Sequence, residues 1–428
     1  MPNVSPHVLV AGVSTRAAAD SAALAGYRVT ALDAFGDLDQ SAGVRGLSMA
    51  REFGVPFTAA SAARVAEAIE CDAVAYVANF ENHPRAVRAL ARGRTLLGNP
   101  PEVLRRVRDP FLLAEVFEHR GVRAPAVIPT AGVIPSGAPK ARSRGIALIP
   151  AEGPLDREDG DSSTPAATRP PLGLTEWLLK PRRSGGGHGI RAWKPGAPIP
   201  RASYVQERIE GIPGSVAFVA ARGRAVPLCL TRQIIGDPAF GATGFQYCGN
   251  IVTGPHDREF GVDSRLAHAA VTLANLLTEE FGLVGVNGID FVMHDDTPFP
   301  IEVNPRYSAS MELVERADGL SVFAAHAMAC IDGSVPSFDF REATTRRGLA
   351  TGKSIVYARH DVVCDDTAAW LANPAVRDVP HPGERIAAGH PVCTVFADGA
   401  DVAECYAALA QEARLIYETL DARTAAGV

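Results

Sequence analysis

The sequence predicts a multidomain protein of α/β and α+β class, and three observations lead to that prediction. The chain has 428 residues, which is too many for a single hydrophobic core. Residues 7–34 alternate strand, helix and strand, the pattern of a Rossmann-like parallel sheet. Residues 215–236 and 285–306 instead form two hairpin patterns, with turns at Arg222-Gly223 and Asp295-Asp296, which are typical of antiparallel sheets.

The Rossmann-like N-terminal domain is predicted to occupy residues 1–100. Its first strand is VLVAGV, an Ala-rich helix follows, and YRVTALDA is the second strand. Residues 71–80 give a third strand, a helix begins at Glu81, and TLLGNP gives a fourth strand. Gly12 and Asp33 lie where a dinucleotide-binding fingerprint would place them, but the turn reads GVSTRA rather than GxGxxG. The sequence therefore disfavours NAD, and Asp33 is equally well interpreted as a cap on the strand end.

Composition narrows the class of partner. A net charge of −6 provides no basic excess for binding a nucleic acid backbone. No run approaches the roughly 18 apolar residues that a membrane span needs. Seven cysteines are scattered without a CxxC pair, which is typical of packed thiols in a reducing compartment. We therefore expect a cytoplasmic protein without nucleic-acid or membrane partners.

Two segments separate the N-terminal domain from the motifs that follow. Residues 101–125 are predicted to be a helical connector. Residues 131–174 form an insert that is dense in Pro, Gly, Ser and charge. Such a composition buries too little apolar area to offset the entropy of ordering, so we expect the insert to be disordered.

A strand that ends in Lys180 runs into a glycine-rich loop, LLKPRRSGGGHGI. A lysine is a compact positive charge suited to the α- and β-phosphates of a nucleotide, and the backbone N–H groups of such a loop can lie against phosphate oxygens. The loop is not a Walker A motif, because GxxxxGK[ST] is absent. The alternative interpretation is a flexible surface hairpin.

The hairpin IDFVMHDDTPFPIEVNPR carries the most informative polar residues. Asp290 on one strand lies across from Glu302 and Asn304 on the other, and residues two apart on a strand project to the same face. Burying unpaired carboxylates is unfavourable, and a divalent cation such as Mg²⁺ removes that penalty. Arg306 follows at once and can hold a carboxylate or a phosphate. A solvent-facing hairpin with ordinary surface charges is the alternative.

The order of these parts resembles the ATP-grasp superfamily, in which a nucleotide lies between two α+β subdomains. In addition, HPGERIAAGHPVCTVFADG at residues 381–399 is similar to the final domain of biotin-carboxylase-type enzymes, so the chain resembles uncharacterised ATP-dependent carboligases related to biotin carboxylase. The resemblance implies a lid subdomain at 126–206 that contains the insert, a metal and substrate subdomain at 207–340, and a small C-terminal β-rich domain at 345–428 with a final helix.

The resemblance also implies ATP, with Mg²⁺ or Mn²⁺, and assigns roles to matching residues. The catalytic residues would be Arg306 and Lys180, and the metal ligands would be Asp290, Glu302 and Asn304. The nucleotide would be bound by Lys180, by Gly185, Gly186, Gly187, His188 and Gly189 of the flap, and by Gln206, Glu207 and Ile209 of the adenine-recognising strand.

Two departures from the family pattern leave alternatives open. Gln206 stands where a glutamate usually meets the adenine, with Glu207 adjacent, so either residue could take that role. The connector reads RVRDPFLL where many members show Asp-Lys, so Arg108 either substitutes for the lysine or the contact is missing. Arg232 and His188 are secondary candidates for substrate contact.

The activity implied is that of an ATP-dependent carboxylate-amine ligase, which forms an amide through an acyl phosphate. Its partners would be a small-molecule carboxylate and an amine, with glutamate or another amino acid as one substrate in building one-carbon carrier cofactors of the methanopterin or methanofuran type. The alternatives are a biotin-carboxylase-like enzyme that uses bicarbonate and a non-catalytic ATP-binding sensor. The sequence leaves open whether the chain forms a homodimer.

Overall fold

The computed structural model describes residues 5–129 and 176–425. The predicted insert at 131–174 lies outside the described residues. Within the described residues the fold consists of three main sheets and the helices that pack on them, which confirms the predicted mixed α/β multidomain class. No helix in these two ranges is long and apolar enough to cross a membrane.

The N-terminal unit contains a five-stranded parallel sheet in the order β3-β2-β1-β4-β5. Its strands are short and apolar because a parallel sheet is covered on both faces. Residues 44–48 and 59–66 form a strand and a helix that the sequence analysis does not predict. The elements are β1 (His7–Ala11), α1 (Arg16–Leu24), β2 (Arg28–Asp33), β3 (Val44–Ser48), α2 (Ala59–Ala66), β4 (Ala73–Tyr76), a 3₁₀ turn (Phe80–Asn82), α3 (Pro84–Leu90) and β5 (Thr95–Leu97).

Two helices follow this unit in the segment 101–125. They are α4 (Pro101–Val107) and α5 (Pro110–His119). Each begins with proline at its first turn, where a missing N–H removes no helical hydrogen bond. Asp109 caps α5, because its side chain accepts a hydrogen bond from Phe111 N at 2.9 Å. Arg108 immediately precedes this cap, at the junction of the two helices.

The segment that the sequence analysis predicts to be the lid contains a four-stranded antiparallel sheet in the order β6-β9-β7-β8. Its strands are β6 (Val127–Ile128), β7 (Trp177–Pro181), β8 (Arg191–Trp193) and β9 (Ser203–Glu207). The glycine-rich loop joins β7 to β8. A small core of Trp177, Leu179, Trp193 and Val205 supports this sheet.

The central sheet has eight strands, in the order β14-β13-β10-β11-β12-β15-β19-β17. Five of its strands, β10 to β14, come from residues 212–304. The other three, β15, β17 and β19, come from the C-terminal part of the chain. The strands are β10 (Ile212–Ala221), β11 (Arg224–Ile235), β12 (Tyr247–Val252), β13 (Gly285–His294), β14 (Thr297–Asn304), β15 (Ala350–Tyr357), β17 (Val376–Arg377) and β19 (Pro391–Gly399), with a separate pair, β16 (Val362–Cys364) and β18 (Glu384–Ile386).

Helices cover the central sheet on both faces. They are α6 (Arg265–Phe281), α7 (Ala309–Asp318), α8 (Val322–Ile331), α9 (Phe340–Arg347), α10 (Ala368–Leu371) and the final helix α11 (Val402–Ala425). Helix α6 packs on the face that carries Phe291, whereas α7 and α8 contact both the central sheet and α1. The N-terminal unit is therefore joined to the central sheet through α7 and α8. The boundaries assigned from the sequence to the lid, metal and C-terminal domains stay predictions.

Both predicted hairpin turns are present. Arg222 and Gly223 have φ of 48° and 77°, and Asp295 and Asp296 have φ of 46° and 57°. Two successive positive φ values are the signature of a tight two-residue turn whose twist matches that of the flanking strands. The second turn fixes the register of β13 against β14, and that register decides which side chains meet.

Candidate active site

The hairpin of β13 and β14 brings the three predicted metal ligands together. Asp290 pairs directly with Glu302, and Gly288 pairs with Asn304, in the antiparallel register. Asn304 Nδ2 donates to Asp290 Oδ2 at 2.8 Å. From the nearby strand β11, Gln233 Nε2 donates to Asp290 Oδ1 at 2.9 Å. Two carboxylates and an amide therefore share one face of the sheet.

The two carboxylates have opposite electrostatic environments. Burial, and then the charge of Glu302, raise the pKa of Asp290 to about 6. Burial would also raise the pKa of Glu302, but Arg108, Lys180 and Arg306 outweigh it, so that pKa lies below its usual value. Both groups are therefore mainly charged at neutral pH, and a cation bound between them would relieve the repulsion that raises the pKa of Asp290.

Arg108 contacts this pair directly. Its Nη1 donates to Glu302 Oε1 at 2.5 Å and to the Val303 carbonyl oxygen at 2.8 Å. Its Nε and Nη2 donate to Asn82 Oδ1 at 3.1 and 2.9 Å. The arginine at the end of α4 thus reaches the site, in the region where the family pattern shows a lysine.

Lys180 and Gln206 face each other across the paired strands β7 and β9. Lys180 Nζ donates to Gln206 Oε1 at 3.0 Å, and both side chains are buried. Glu207 points elsewhere, since its Oε2 accepts a hydrogen bond from Ala126 N at 3.0 Å. Of the two residues that the sequence left open, Gln206 is the one on the side of Lys180. Ile209 is half-buried just after β9.

The glycine-rich loop approaches the central sheet very closely. Gly187 has φ of +79°, and a Cβ atom at that position would overlap the carbonyl oxygen of Phe245. The carbonyl oxygen of Gly186 accepts a hydrogen bond from Tyr247 N at 3.0 Å, so the loop contacts the start of β12. Side chains are excluded here because backbone meets backbone. Gly189 also has positive φ, whereas Gly185 does not; His188 is exposed.

One contact ties the loop to the N-terminal unit. Asn82 Nδ2 donates to the carbonyl oxygen of Ser184 at 3.4 Å, while its Oδ1 accepts from Arg108, which in turn holds Glu302. The loop, the N-terminal unit and the hairpin of β13 and β14 are therefore connected through a single asparagine side chain.

Arg306 lies beside the hairpin and is held from the N-terminal unit. Its Nε donates to Glu81 Oε1 at 2.8 Å, and its Nη2 lies 3.4 Å from Asn304 Oδ1. The preceding Pro305 carbonyl accepts hydrogen bonds from the Tyr76 hydroxyl at 3.3 Å and from Asn99 Nδ2 at 3.2 Å. These contacts fix the backbone from which the arginine projects.

Glu81 is a residue that the sequence analysis misses. The sequence predicts the start of a helix there, but Glu81 lies in the 3₁₀ turn after β4 and its side chain is only 1% exposed. Its second oxygen, Oε2, is buried and has no hydrogen-bond partner among the described residues. An acidic residue just past the carboxyl end of a parallel strand is a signal that could have identified it, since ligands bind at that edge of α/β sheets.

Two other residues singled out in the sequence have structural contacts. Arg232 is on the opposite face of the sheet from Asp290, where it pairs with Asp257 at 2.8 Å and Glu259 at 2.7 Å, so its geometry favours an ion pair over a substrate contact. Asp33 accepts hydrogen bonds from Thr15 Oγ1 at 2.7 Å and from Gly36 N at 2.8 Å, which is the role of a cap.

The donor set fits a hard divalent cation. Among residues 5–129 and 176–425 there is no group of three or more His, Cys, Asp or Glu side chains that could hold a metal. Asp290 and Glu302 instead supply two carboxylates, and Asn304 supplies an amide oxygen. Mg²⁺ usually takes few protein oxygens and completes its shell with water and phosphate oxygens, so two acids and an amide are sufficient for a metal that is bound together with a nucleotide.

Comparison with known proteins identifies the domain that carries these residues. The sequence model of the ATP-grasp domain matches residues 158–310. No curated protein sequence matches the chain. Among solved structures, the fold resembles that of an L-amino acid ligase from Bacillus licheniformis, with a TM-score of 0.60, 13% identity and coverage of 96% of this chain and 98% of that chain.

Two further structures extend this likeness. Biotin carboxylase from Campylobacter jejuni superposes with a TM-score of 0.59 at 14% identity, over 92% of this chain and 87% of that chain. N5-carboxyaminoimidazole ribonucleotide synthetase from Thermus thermophilus superposes with a TM-score of 0.60 at 18% identity, over 95% of this chain and 98% of that chain. At these identities the likeness establishes the fold alone.

Proposed function

We propose that this chain, whose residues 158–310 match the ATP-grasp domain, is an ATP-dependent carboxylate-amine ligase that releases ADP. The observation that carries the proposal is the pairing of Asp290 with Glu302 and Asn304 close to three cations, Arg108, Lys180 and Arg306, whose charges lower the pKa of Glu302. Three cations and an acidic metal set next to a glycine loop form a site suited to a triphosphate and a second anion.

The residues around the hairpin would position the phosphates of ATP. Asp290, Glu302 and Asn304 would hold Mg²⁺ or Mn²⁺, which neutralises phosphate charge when bound. Lys180 presents a buried ammonium, and the loop from Gly185 to Gly189 presents backbone N–H groups. Gln206, which holds Lys180, and Glu207 lie on the strand to which we assign the adenine, and Ile209 follows that strand. Positioning and charge neutralisation are the main requirements of phosphoryl transfer.

Arg306 would grip the carboxylate that accepts the γ-phosphoryl group. A guanidinium can bind both oxygens of a carboxylate, and here its Nε is already held by Glu81. The acceptor oxygen attacks the γ-phosphorus, the bond to the ADP oxygen breaks, and an acyl phosphate results. An amine then attacks the acyl carbon, a C–N bond forms, and inorganic phosphate leaves. No nucleophilic side chain is required.

The resemblance supports a finer proposal about the substrates. We propose an amino acid, glutamate in the first instance, as one substrate, and an amine precursor of a one-carbon carrier cofactor as the other. An L-amino acid ligase is among the proteins with this fold, which is compatible with an amino acid substrate. Cytoplasmic location and the absence of nucleic-acid and membrane partners stay predictions, as does the homodimer.

The test is an ADP-release screen of the purified protein with Mg²⁺ and ATP against pools of amino acids, amines and bicarbonate. We expect ADP release that depends on a carboxylate together with an amine, with the amide as the product in mass spectrometry. Release with bicarbonate and without amine would replace the ligase by a carboxylase. ATP binding without ADP release under any pool would replace it by a sensor.

A further inference from the structure

The carboxylate of Glu81, which lies outside the hairpin of β13 and β14, is buried but only partly hydrogen-bonded. Only 1% of the side chain is exposed. One of its oxygens accepts a hydrogen bond from Arg306 Nε at 2.8 Å. The other, Oε2, is buried without any partner in the two described ranges of the chain. A charged oxygen in this condition is unfavourable, because it has left water and gained no donor in exchange.

The neighbourhood of Glu81 shows what kind of partner would satisfy it. Two nearby site cations are already engaged, since Arg306 uses Nε on Oε1 and Arg108 is directed at Glu302. The same turn of the N-terminal unit holds the glycine loop through Asn82. The unpaired oxygen thus belongs to the carboxylate that holds the arginine assigned to the reacting substrate, and its missing partner is a hydrogen-bond donor.

The amine of the proposed reaction is such a donor. Most amines are ammonium ions at neutral pH, and an ammonium cannot attack an acyl carbon until it loses a proton. We propose that Glu81 Oε2 binds the ammonium group of the incoming amine and accepts its proton before the attack. This inference rests on the proposed ligase function and assigns to Glu81 the role of a catalytic base that also selects charged amines.

The step balances with the groups already named. One ammonium proton passes to Glu81 Oε2, and the freed electron pair of nitrogen forms the C–N bond to the acyl carbon. The bond from that carbon to the phosphate oxygen breaks, and the second nitrogen proton goes with the departing phosphate as hydrogen phosphate. Glu81 returns its proton to solvent when the product leaves. No oxidant or further reactant is involved.

The same oxygen favours an amine over bicarbonate as the second substrate. An unpaired carboxylate oxygen beside the reaction centre repels an anion and attracts a cation. Glu81 therefore gives a physical reason to place the chain with amide-forming ligases, which the shape of the fold cannot provide because biotin carboxylase shares it.

The test uses two nucleophiles that differ in charge. Wild-type protein and the Glu81→Gln variant are given ATP, Mg²⁺ and a pool of amino acids and other small carboxylates. Hydroxylamine, which is uncharged at neutral pH, is added in one series, and the hydroxamate is measured by the absorbance of its iron(III) complex. Ammonium-type amines, including the amino acids themselves, are added in the other, and ADP and amide are measured. Glutamine keeps the volume and an acceptor for Arg306 but removes the proton-accepting charge.

We expect the glutamine variant to lose about 10²–10⁴-fold in amide formation, the usual contribution of a general base, while hydroxamate formation stays close to wild type. Glu67→Gln, an exposed glutamate of the same unit, is the control and should match wild type in both series. Glu81→Asp restores a carboxylate and should recover part of the amide formation. Thermal melting and ATP binding establish that each variant is folded.

The outcomes separate this inference from the function on which it rests. If Glu81→Gln lowers both products equally, Glu81 only holds Arg306 in place and the base role is overturned. If neither product falls, or if the aspartate and glutamine variants are equally poor in amide formation, the base role is also overturned. If wild-type protein forms no hydroxamate with any carboxylate, the ligase function itself fails, and this inference fails with it.

Discussion

Two buried charge clusters lie on the same molecule, and they differ in how their carboxylates are arranged. The nucleotide cluster consists of Asp290, Glu302, Asn304, Arg108, Arg306 and Lys180. The junction cluster consists of Arg16, Asp39, Glu312, Lys353 and Asp378, where the N-terminal unit meets α7 and the C-terminal strands. Both join the N-terminal unit to the central sheet, yet only the first contains two carboxylates that face each other in strand register.

In the junction cluster the charges satisfy one another. Arg16, whose side chain is 4% exposed, donates to Asp378 and to Glu312 at 2.6 Å each. Lys353 pairs with Glu312 at 2.5 Å, and Asp39 accepts from Val379 N at 2.8 Å. The pKa of Asp378 is about 2. Burial alone would raise this pKa, but the positive charges of Arg16 and Lys353 lower it by more than burial raises it.

Asp37 lies next to the junction cluster and has one buried oxygen without a partner in the part of the chain that the structure describes. Burial, and then the charges of Asp378, Asp33 and Asp39, raise its pKa well above the usual range. This environment disfavours the charged form of Asp37, and a neutral carboxyl group is far less unfavourable to bury than a charged one. Asp37 therefore does not make the junction cluster a binding site.

The comparison teaches that burial and charge alone do not identify a site. The nucleotide cluster combines a carboxylate with a pKa of about 6, a second carboxylate facing it, and the nearby Glu81 oxygen that no described residue satisfies. Facing carboxylates whose pKa values are shifted in opposite directions are typical of functional sites. We therefore expect the two clusters to respond to mutation in opposite ways.

The largest expected effect is on stability, from Arg16→Met in the junction cluster. The change leaves Asp378 without its arginine, and breaking a buried ion pair on one side costs about 3–5 kcal/mol. We expect the free energy of unfolding to fall by that amount in urea titration at neutral pH, with ATP consumption per folded molecule retained. Arg92→Met removes a cation that is 78% exposed and should change stability by less than about 0.5 kcal/mol. Loss of ATP consumption at unchanged stability would make the junction cluster a site.

The second effect is on activity, from Asp290→Asn in the nucleotide cluster. The amide keeps the shape but removes the charge that a metal requires, so we expect ADP release to fall about 10²–10³-fold, as for the loss of one electrostatic contact in a reaction site. Stability should hold or rise, because a like-charged neighbour of Glu302 is removed. Glu259→Gln, which alters the partner of Arg232 on the opposite face of the sheet, is the matched control. Persistent wild-type ADP release would contradict the metal assignment.

The hairpin of β13 and β14 could be predicted from the sequence because its determinants are local. Alternating side chains and the Asp295-Asp296 turn are enough to place Asp290 beside Glu302. The contacts of Arg108 and Glu81 could not be predicted in the same way. Arg108 meets Glu302 across 194 residues, and Glu81 meets Arg306 across 225 residues. No pattern within a strand or a turn encodes pairing over such separations.

The same limit applies to the C-terminal part of the fold. The sequence predicts its strands and its final helix, but it does not reveal that β15 pairs with β12 through Gly249 and Ser354 and thereby extends the central sheet. Strand order in a sheet depends on which edges remain available once the other units have packed. Lys353 on β15 therefore lies on the same face of the sheet as Asp290, and nothing in the sequence of β15 itself predicts this.

The third effect separates the clusters by their pH dependence. The folded pKa of Asp290 is about 6 against a usual 3.8, so the folded state takes up a proton that the unfolded chain takes up only at lower pH. Stability should therefore rise as the pH falls from about 6 to about 4, by about 3 kcal/mol. This rise should be absent in Asp290→Asn when urea titrations are repeated across that range.

Asp378 should act with the opposite sign. Its folded pKa is about 2, below the usual 3.8, so its stabilising contribution is complete above the usual value and is lost as the pH falls towards the folded one. Asp378→Asn should remove that acid loss while leaving the rise that Asp290 produces. A single common pH dependence in both variants would mean that the two clusters are not electrostatically distinct.

The smallest effect concerns the glycine loop, which links the nucleotide cluster to the lid. In Gly187→Ala the backbone at φ of +79° becomes strained, at about 1–2 kcal/mol for a left-handed residue, and the loop must also move away from the sheet because the new Cβ would overlap the Phe245 carbonyl. We expect the KM for ATP to rise about tenfold, since about 1.4 kcal/mol is a factor of ten in binding, with little change in melting temperature. Gly185→Ala, which has no neighbouring atom within 4 Å of its Cβ and no positive φ, should raise KM much less. Equal effects at both positions would show that the close approach of Gly187 to Phe245 has no part in closing the loop over the nucleotide. The nucleotide cluster would then act without this contact of the glycine loop.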